Sequence, residues 1–575
     1  MKTKDYFIPK MYRRLLVPSV FSSLGFAFAD MADALVLGNR IGAPGLAAIS
    51  LCLPVFMMIN LFMDALGLGG SIRFSQKIGE GIKNDAVDCF NRIWRTVLAI
   101  GLFIGLIANV FSRQVLNVLG TSPEDGILYE ASEIYMRVIS MGSPLLMLNI
   151  VFSNFLRNDN NANLAAKGFL IGNATDIILN IVLVLCFNLG TVGAASATVI
   201  GSAVAVCIYI PGFCGKKANT LKFKKVKYDF GEVYDCFKNG FSTSVHQVYS
   251  FIFFLAVNRM LMNISGENGV AVFEIVYSVS FLIVYLINGA SEAAQPLIST
   301  FSGEHNEKDC EYVLKLLKKY GLLISGTAAL IVFAFAENIT QIFGINEALI
   351  DNASYAVRIY CMGFAFVGLN TMYETYYQAK EVPKPSMFIS TMRGLVVALP
   401  CMLFLSFGGE RLIWLMFPVT ELITLLMFLA YKKKCVKKQE YFDEERILRI
   451  TLKNDMEDLN ELLEKSRAFC EKWNADATQQ YYVALVIEEL CTSIVRNAMK
   501  TVKDSRIRVT ILATEGNDFT INILDNAVKF NPFNLGRKQN EEVDFDEISI
   551  RMVKSKAKSF MYRRSNGFNS LVVKL

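Results

Sequence analysis

The chain has 575 residues, of which 53% are hydrophobic and only 19% charged, with a formal net charge of +6. Soluble domains carry about 25% charged residues, so an apolar excess of this size calls for a bilayer as a second solvent. The composition excludes a disordered, collagenous or small disulfide-stapled protein, and the modest positive charge is not by itself a nucleic-acid footprint.

The N-terminus shows no short apolar stretch ending in a small-residue cleavage site, so the first apolar run reads as a retained helix. About 20 apolar residues cross the hydrocarbon core. Twelve such runs are predicted, near 15–37, 46–70, 94–118, 134–156, 164–187, 192–213, 240–263, 270–298, 320–343, 354–378, 386–407 and 410–431. The connections alternate in charge. GTSPEDGILYEASE, NISGENG and AENITQIFGINEALIDN hold no Lys or Arg. The opposite set holds Lys77, Lys83, Arg92 and Arg95, then Lys216, Lys217, Lys222, Lys224, Lys225 and Lys227, then Lys308, Lys315, Lys318 and Lys319. Lysine and arginine stay on the cytoplasmic side, so both termini and the even-to-odd loops are expected there, in a multi-pass protein of the cell membrane.

Two long runs six spans apart end alike, in LGLGGSIRFSQKIGEGIKNDA and EAAQPLISTFSGEHNEKDC. Because six is even, the halves share an orientation, as in the parallel repeats of many secondary transporters. The expected fold is therefore an all-α polytopic membrane protein of twelve helices in two six-helix lobes, about 11–213 and 240–431, within a transporter domain at 1–435. A linker at 436–445 and a soluble domain at 446–575 follow.

Acids inside spans are costly and face a cavity or a partner. Asp30 and Asp33 are three apart on one face of the first span, and Asp176 and Asn180 are four apart on one face of the fifth. Thr198 adds an oxygen. A proton carrier needs a carboxylate made basic by desolvation or by a second carboxylate, whereas sodium needs several oxygens and few charges. This set serves either ion. Asp64, Glu274 and His246 are candidates for a cavity lining. Glu292 and Glu374 fall near predicted helix ends, where solvation accounts for them. With only two histidines and no Cys-x-x-Cys, no metal site is expected.

The runs VPSVFSSLGFAFADMADALVLGNRIGAPGLAAISLCLPV, LGLGGSIRFSQKIGEGIKNDA, GNATDIILNIVLVLCFNLGTVGAASATVIG and EAAQPLISTFSGEHN resemble the multidrug and toxic compound extrusion (MATE) family over about 420 residues. The resemblance implies a non-enzymatic antiporter that expels organic, mostly cationic compounds against inward proton or sodium flow. It places Asp33 on the family's helix 1 aspartate. In the fifth helix the family often has Asn, then three residues, then Asp. Here the order is reversed, Asp176 then Asn180, which leaves open which of them binds the ion. Flippases of lipid-linked or polysaccharide precursors share the fold and stand as the alternative. A basic cavity lining would favour an anionic lipid.

Residues 446–575 alternate strand and helix patterns and read as an α/β sandwich. YYVALVIEELCTSIVRNAMK, INILDNAVKFNPF and ISIRMVKSKAKSFMYRRSNGFNSLVVKL resemble the ATP-binding domain of histidine kinases and anti-sigma-factor serine kinases. Glu489 and Asp525 match that family's motif. The magnesium-binding Asn is Ser493, the Gly two residues after the Asp is Ala527, and the second phosphate box, NEEVDFDEISIRMV, has no glycine. Phosphate cradling needs close backbone approach, which side chains obstruct. A degenerate domain that binds a cytoplasmic protein partner, or nucleotide weakly, is expected rather than a kinase. A membrane-tethered signalling protein is the rival that intact boxes would have favoured. The expected partners are thus the bilayer, a small organic substrate and that cytoplasmic protein, with no nucleic acid and no firmly held cofactor.

Overall fold

The computed structural model describes residues 6–118, 126–214, 220–342, 347–435, 444–453, 456–499, 505–514, 518–534, 545–565 and 567–575. The side chains of residues 26, 28–51, 53–54, 118, 127–128, 243, 251, 266–267, 271, 274, 342, 347–348, 435, 444, 453, 456–457, 545–547, 549 and 565 are not among those described. The chain forms two compact units, Met1–Gln76 with Asp85–Lys438, and Lys77–Asn84 with Gln439–Leu575.

The first unit is helical. Its first half contains α1 (Phe7–Gly79), α2 (Lys83–Val110), α3 (Ser112–Val118), α4 (Ile127–Asn158), α5 (Ala162–Asn180) and α6 (Gly190–Phe213). Its second half contains α7 (Phe230–Ser244), α8 (His246–Gly303), α9 (Glu307–Ala334), α10 (Ala336–Ile342), α11 (Glu347–Met362), α12 (Phe364–Ala379), α13 (Pro383–Thr391), α14 (Ala398–Ser406), α15 (Glu410–Ile413) and α16 (Met416–Cys435). Ten helices among the described residues are long and apolar enough to cross a membrane. The second half of the first predicted span falls on side chains outside the description. The tenth is split at Gly363, where Pro418 of α16 lies about 3.0 Å from the position a Cβ would take.

Two expected breaks are absent. The helix α1 continues through Gly38, Gly42 and Gly45, and α8 continues through NISGENG. A glycine costs a helix only about 1 kcal/mol, so it signals a break without compelling one. Four other turns are sharp and share one construction. Gly81, Asn160, His305 and Glu381 have positive φ. Each sits in a Schellman closure, in which the next residue's N–H reaches back five residues: Ile82 to Lys77, Asn161 to Leu156, Asn306 to Phe301 and Val382 to Tyr377. These turns end the second, fourth, eighth and tenth spans, so the duplication is visible in the backbone. A π-helical turn also follows α5 (Ile181–Cys186) and α13 (Met392–Val396), in the fifth and eleventh spans alike.

Packing in each lobe relies on small residues. Gly101 and Gly105 of α2 let its backbone meet Pro144 and Ser140 of α4. Without a hydrophobic drive between helices in lipid, such close approach supplies the attraction. The outer surface is apolar, with Phe404 78% and Phe407 89% exposed.

The second unit is a two-layer α/β domain. Strands β1 (Ile447–Lys453), β2 (Arg506–Ala513), β3 (Phe519–Asp525), β4 (Ser559–Ser565) and β5 (Phe568–Lys574) form an antiparallel sheet in the order β1-β2-β3-β5-β4. Helices α17 (Met456–Lys472), α18 (Ala477–Ala498) and α19 (Phe545–Lys556) pack with it around Leu490, Ile494, Ile521 and Leu571. A capping box at Asp476 and Gln479 starts α18. The periodicity of Val483, Ile487, Leu490, Ile494 and Ala498 then turns Ser493 inward.

Candidate functional site

In the first lobe, Asp176 is buried where α5 meets α6. A Cβ on Gly201 would lie 3.0 Å from the Asp176 Cβ and 2.7 Å from the Gly172 carbonyl. The Asn180 side chain donates to Asp176 Oδ1 at 3.5 Å. Thr198, one turn before Gly201, donates to the Ala194 carbonyl at 3.2 Å. The structure therefore brings Asp176, Asn180 and the Thr198 face together. The side chains of Asp30, Asp33 and Glu274 lie outside the described residues. Asp64 is half-buried, with Gln247 and Glu292 as its polar neighbours. His246 meets the Ser250 hydroxyl at 3.3 Å and has the Arg393 charge nearby.

Among the described residues, a dense polar cluster in the second lobe goes largely beyond what the sequence pattern singles out. Arg393 stands in the π-turn after α13. Its Nη2 and Nε donate to Glu421 Oε1 of α16 at 2.8 and 3.1 Å, and its Nη1 lies 3.5 Å from Glu374 Oε2 of α12. Nη1 also donates to Thr371 at 3.0 Å. Ser390 donates to Glu374, and Asn370 donates to Glu421 Oε2 at 2.7 Å. Glu374 is buried rather than solvated at a helix end, because α13 folds back over the last turn of α12. The fully ionised trio carries one net negative charge. The buried oxygens Asn370 Oδ1 and Thr424 Oγ1 have no hydrogen-bond partner. A signal did exist: one arginine in the eleventh span, with a glutamate in each of the neighbouring spans as partner.

The lobes meet at the end that holds the Schellman turns. Asn158 and Gln295 exchange two amide hydrogen bonds, at 3.0 and 3.2 Å. Arg157 pairs with Glu292 at 2.8 Å, and Arg73 with Glu381 at 3.0 Å. Glu292, too, is therefore paired rather than simply solvated. Backbones also touch: a Cβ on Gly303 would strike the Gln76 carbonyl, and one on Gly240 the Ala65 carbonyl.

In the second unit, Asp525 ends β3 and is 1% exposed. Its Oδ1 accepts from the Ala527 N–H at 2.9 Å and from Asn569 at 2.8 Å, and its Oδ2 has no partner among the described residues. Burial pushes its pKa up to about 6. Asn569, opposite it on β5, also accepts from the Tyr562 hydroxyl at 2.9 Å. The Ser493 hydroxyl is buried with no partner among the described residues, and Glu489 is half-buried. Asn569 escaped the sequence reading because it lies 44 residues from Asp525 and is joined to it only by strand pairing.

Two repeated helical lobes, each with an acid held in its interior, form the arrangement on which many membrane transporters are built. The MatE family profile matches residues 18–182 and 243–403, more than half of the chain, and the chain belongs to that family. Residues 452–575 match the histidine kinase-like ATPase domain. The multidrug export protein MepA of Staphylococcus haemolyticus is 26% identical over 426 residues, covering 72% of this chain and 91% of that protein. The probable multidrug resistance protein YoeA of Bacillus subtilis is 21% identical, covering 75% and 96%. A solved structure of a multidrug resistance MATE family transporter in its outward-facing conformation superposes with a TM-score of 0.70 at 21% identity, covering 75% of this chain and 96% of the other.

Proposed function

We propose that the chain is a cation-coupled antiporter of the cell membrane that exports organic, cationic compounds, with its termini and second unit in the cytoplasm. The observation that carries this reading is the buried acid of both lobes: Asp176 in one and Glu374, within the Glu374–Arg393–Glu421 cluster, in the other. Inward flow of protons or sodium neutralises such a site, and an organic cation competes for it. The flippase alternative called for a basic lining. Arg393 does not supply one, because two carboxylates neutralise it. The names of the curated relatives, multidrug export and multidrug resistance proteins, support the same class.

Within this reading Asp33, Asp176, Asn180 and Thr198 hold the coupling ion, with Asp30 beside Asp33. Asp64, Glu274 and His246 border the cavity. Efflux of a fluorescent cation from vesicles, with proton and sodium gradients imposed separately, tests it. One gradient should drive wild-type efflux, and Asp33→Asn should abolish the response while leaving membrane insertion intact. A variant that pumps at the normal rate removes Asp33 from the mechanism.

The unit at 446–575, joined through 436–445 to a transporter domain at 1–435, is proposed as a regulatory module without kinase activity. Asp525 keeps an acceptor for an adenine amino group, but Ser493 and Ala527 replace the groups that hold magnesium and phosphate. Titration with Mg-ATP should therefore give weak binding or none. Micromolar binding that is lost in Asp525→Ala would overturn this assignment.

A further inference from the structure

The segment between α6 and α7 joins the two lobes, and from Thr220 onward it is lashed down by its backbone. Asp159 Oδ2 accepts from the N–H groups of Thr220 and Leu221 at 2.9 and 3.1 Å. Asn91 of α2 grips Lys222 through its carbonyl at 2.8 Å and Lys224 through its N–H at 2.9 Å. Arg92 donates to the Lys227 carbonyl at 3.0 Å, and Arg95 to the Lys224 carbonyl at 2.5 Å. Main-chain groups of the strap make these contacts, which leaves its lysine side chains out of them. Lys222, Lys224, Lys225 and Lys227 are all exposed. Lys224 pairs with Asp88 at 3.3 Å, and Arg92 with Glu232. No carboxylate partner for Lys222, Lys225 or Lys227 occurs among the described residues.

The place of this strap is set by α2. Beyond Thr96 that helix is apolar, with Leu102, Phe103, Leu106 and Val110 exposed as a lipid-facing surface. The strap crosses α2 between Asn91 and Thr96, at the edge of that surface. Aromatic rings mark the same level: Trp94, with Phe223 packed on it and on Phe90, Phe152 and Phe213, and with exposed Tyr228 and Phe230 beyond. Aromatic rings favour the headgroup region, and lysines clustered beside a span attract anionic lipid.

We propose that this strap is a binding surface for the phosphate headgroup of an anionic phospholipid, held by Lys222, Lys225 and Lys227, with the exposed rings seated among the acyl-chain ends. An acidic protein segment would match the charges but not the exposed rings at the edge of a lipid-facing helix. The inference rests on the membrane placement of α2 and not on the transported substrate.

The full chain in detergent, titrated with fluorescent phosphatidylglycerol and with phosphatidylcholine of the same acyl chains, tests it. Wild type should prefer phosphatidylglycerol by about tenfold, and the preference should shrink as salt rises. The triple variant Lys222→Gln, Lys225→Gln, Lys227→Gln should lose it without change in phosphatidylcholine binding. The corresponding arginine triple should keep it. Equal binding of the two lipids by wild type, a preference indifferent to salt, or full preference in a folded glutamine triple would each overturn the proposal. Displacement of the lipid by millimolar inorganic phosphate would do so too, since it would mark a free-anion site. The arginine triple and the salt titration keep the test decisive if the glutamine triple fails to fold.

Discussion

At the scale of single residues, the most consequential group is Arg393. A guanidinium inside a membrane domain is expensive unless it is paired. Here Glu421, Glu374 and Thr371 take its donors. Breaking a buried pair from one side leaves an uncompensated charge, at a cost of about 3–5 kcal/mol. Arg393→Ala is therefore expected to lower the thermal midpoint of the purified protein sharply. Arg393→Ala combined with Glu421→Gln should recover part of the loss, because one of the two orphaned carboxylates is gone. A single variant as stable as wild type, by thermal unfolding in detergent, would show that the network contributes no net stability. The sequence displayed Glu374 and Glu421 as acids in or near spans, but only the packing of α12, α13 and α16 revealed Arg393 as their common partner.

At the scale of elements, α5 and α6 show how function and packing share one contact. Gly172 and Gly201 bring the two backbones so close that any side chain at Gly201 would overlap the Gly172 carbonyl and crowd Asp176. A misfit in a close-packed interior costs about 1–3 kcal/mol. Gly201→Val should thus separate the helices, lower stability by that order and reduce efflux, because Asp176 loses its setting. Normal efflux from Gly201→Val in vesicles would show that the close contact is dispensable. The Asp176–Asn180 spacing was legible because one helical turn joins the two positions. The glycine contact was not, since it depends on which face of α6 meets α5. The Schellman turns were legible in part: a glycine marked the first, whereas Asn160, His305 and Glu381 adopt left-handed backbone without that cue.

At the scale of the whole transporter unit, the two lobes are sealed at one end by paired side chains and by backbone contact. Asn158 with Gln295, Arg157 with Glu292 and Arg73 with Glu381 all join the first lobe to the second. Alternating access by rocking lobes must part these pairs in every cycle. Glu292→Gln is expected to loosen the seal and raise the population that is open at this end. Reaction of a single cysteine placed at Ser299 with a water-soluble maleimide reads this out. With the twelve native cysteines replaced, it should be slow when Glu292 is kept and several-fold faster with Glu292→Gln, given roughly 1 kcal/mol lost from the pair. Unchanged reactivity would show that the ion pair does not hold the lobes together.

The amino-acid sequence by itself pointed to a bilayer as solvent, to a polytopic helical fold with two alike halves and to the added α/β domain, but not to the continuity of α1 and α8. What it pointed to follows from local composition and period: hydropathy over about 20 residues, lysine bias in adjacent loops, and the alternation of helix and strand patterns. Tertiary structure alone decided which polar groups meet. Arg393 reaches Glu421 across 28 residues, Asn158 reaches Gln295 across 137, and Asp525 reaches Asn569 across 44. The physical reason is that a buried polar group takes its partner from whatever the fold brings within hydrogen-bond distance, and no periodicity along the chain encodes that distance.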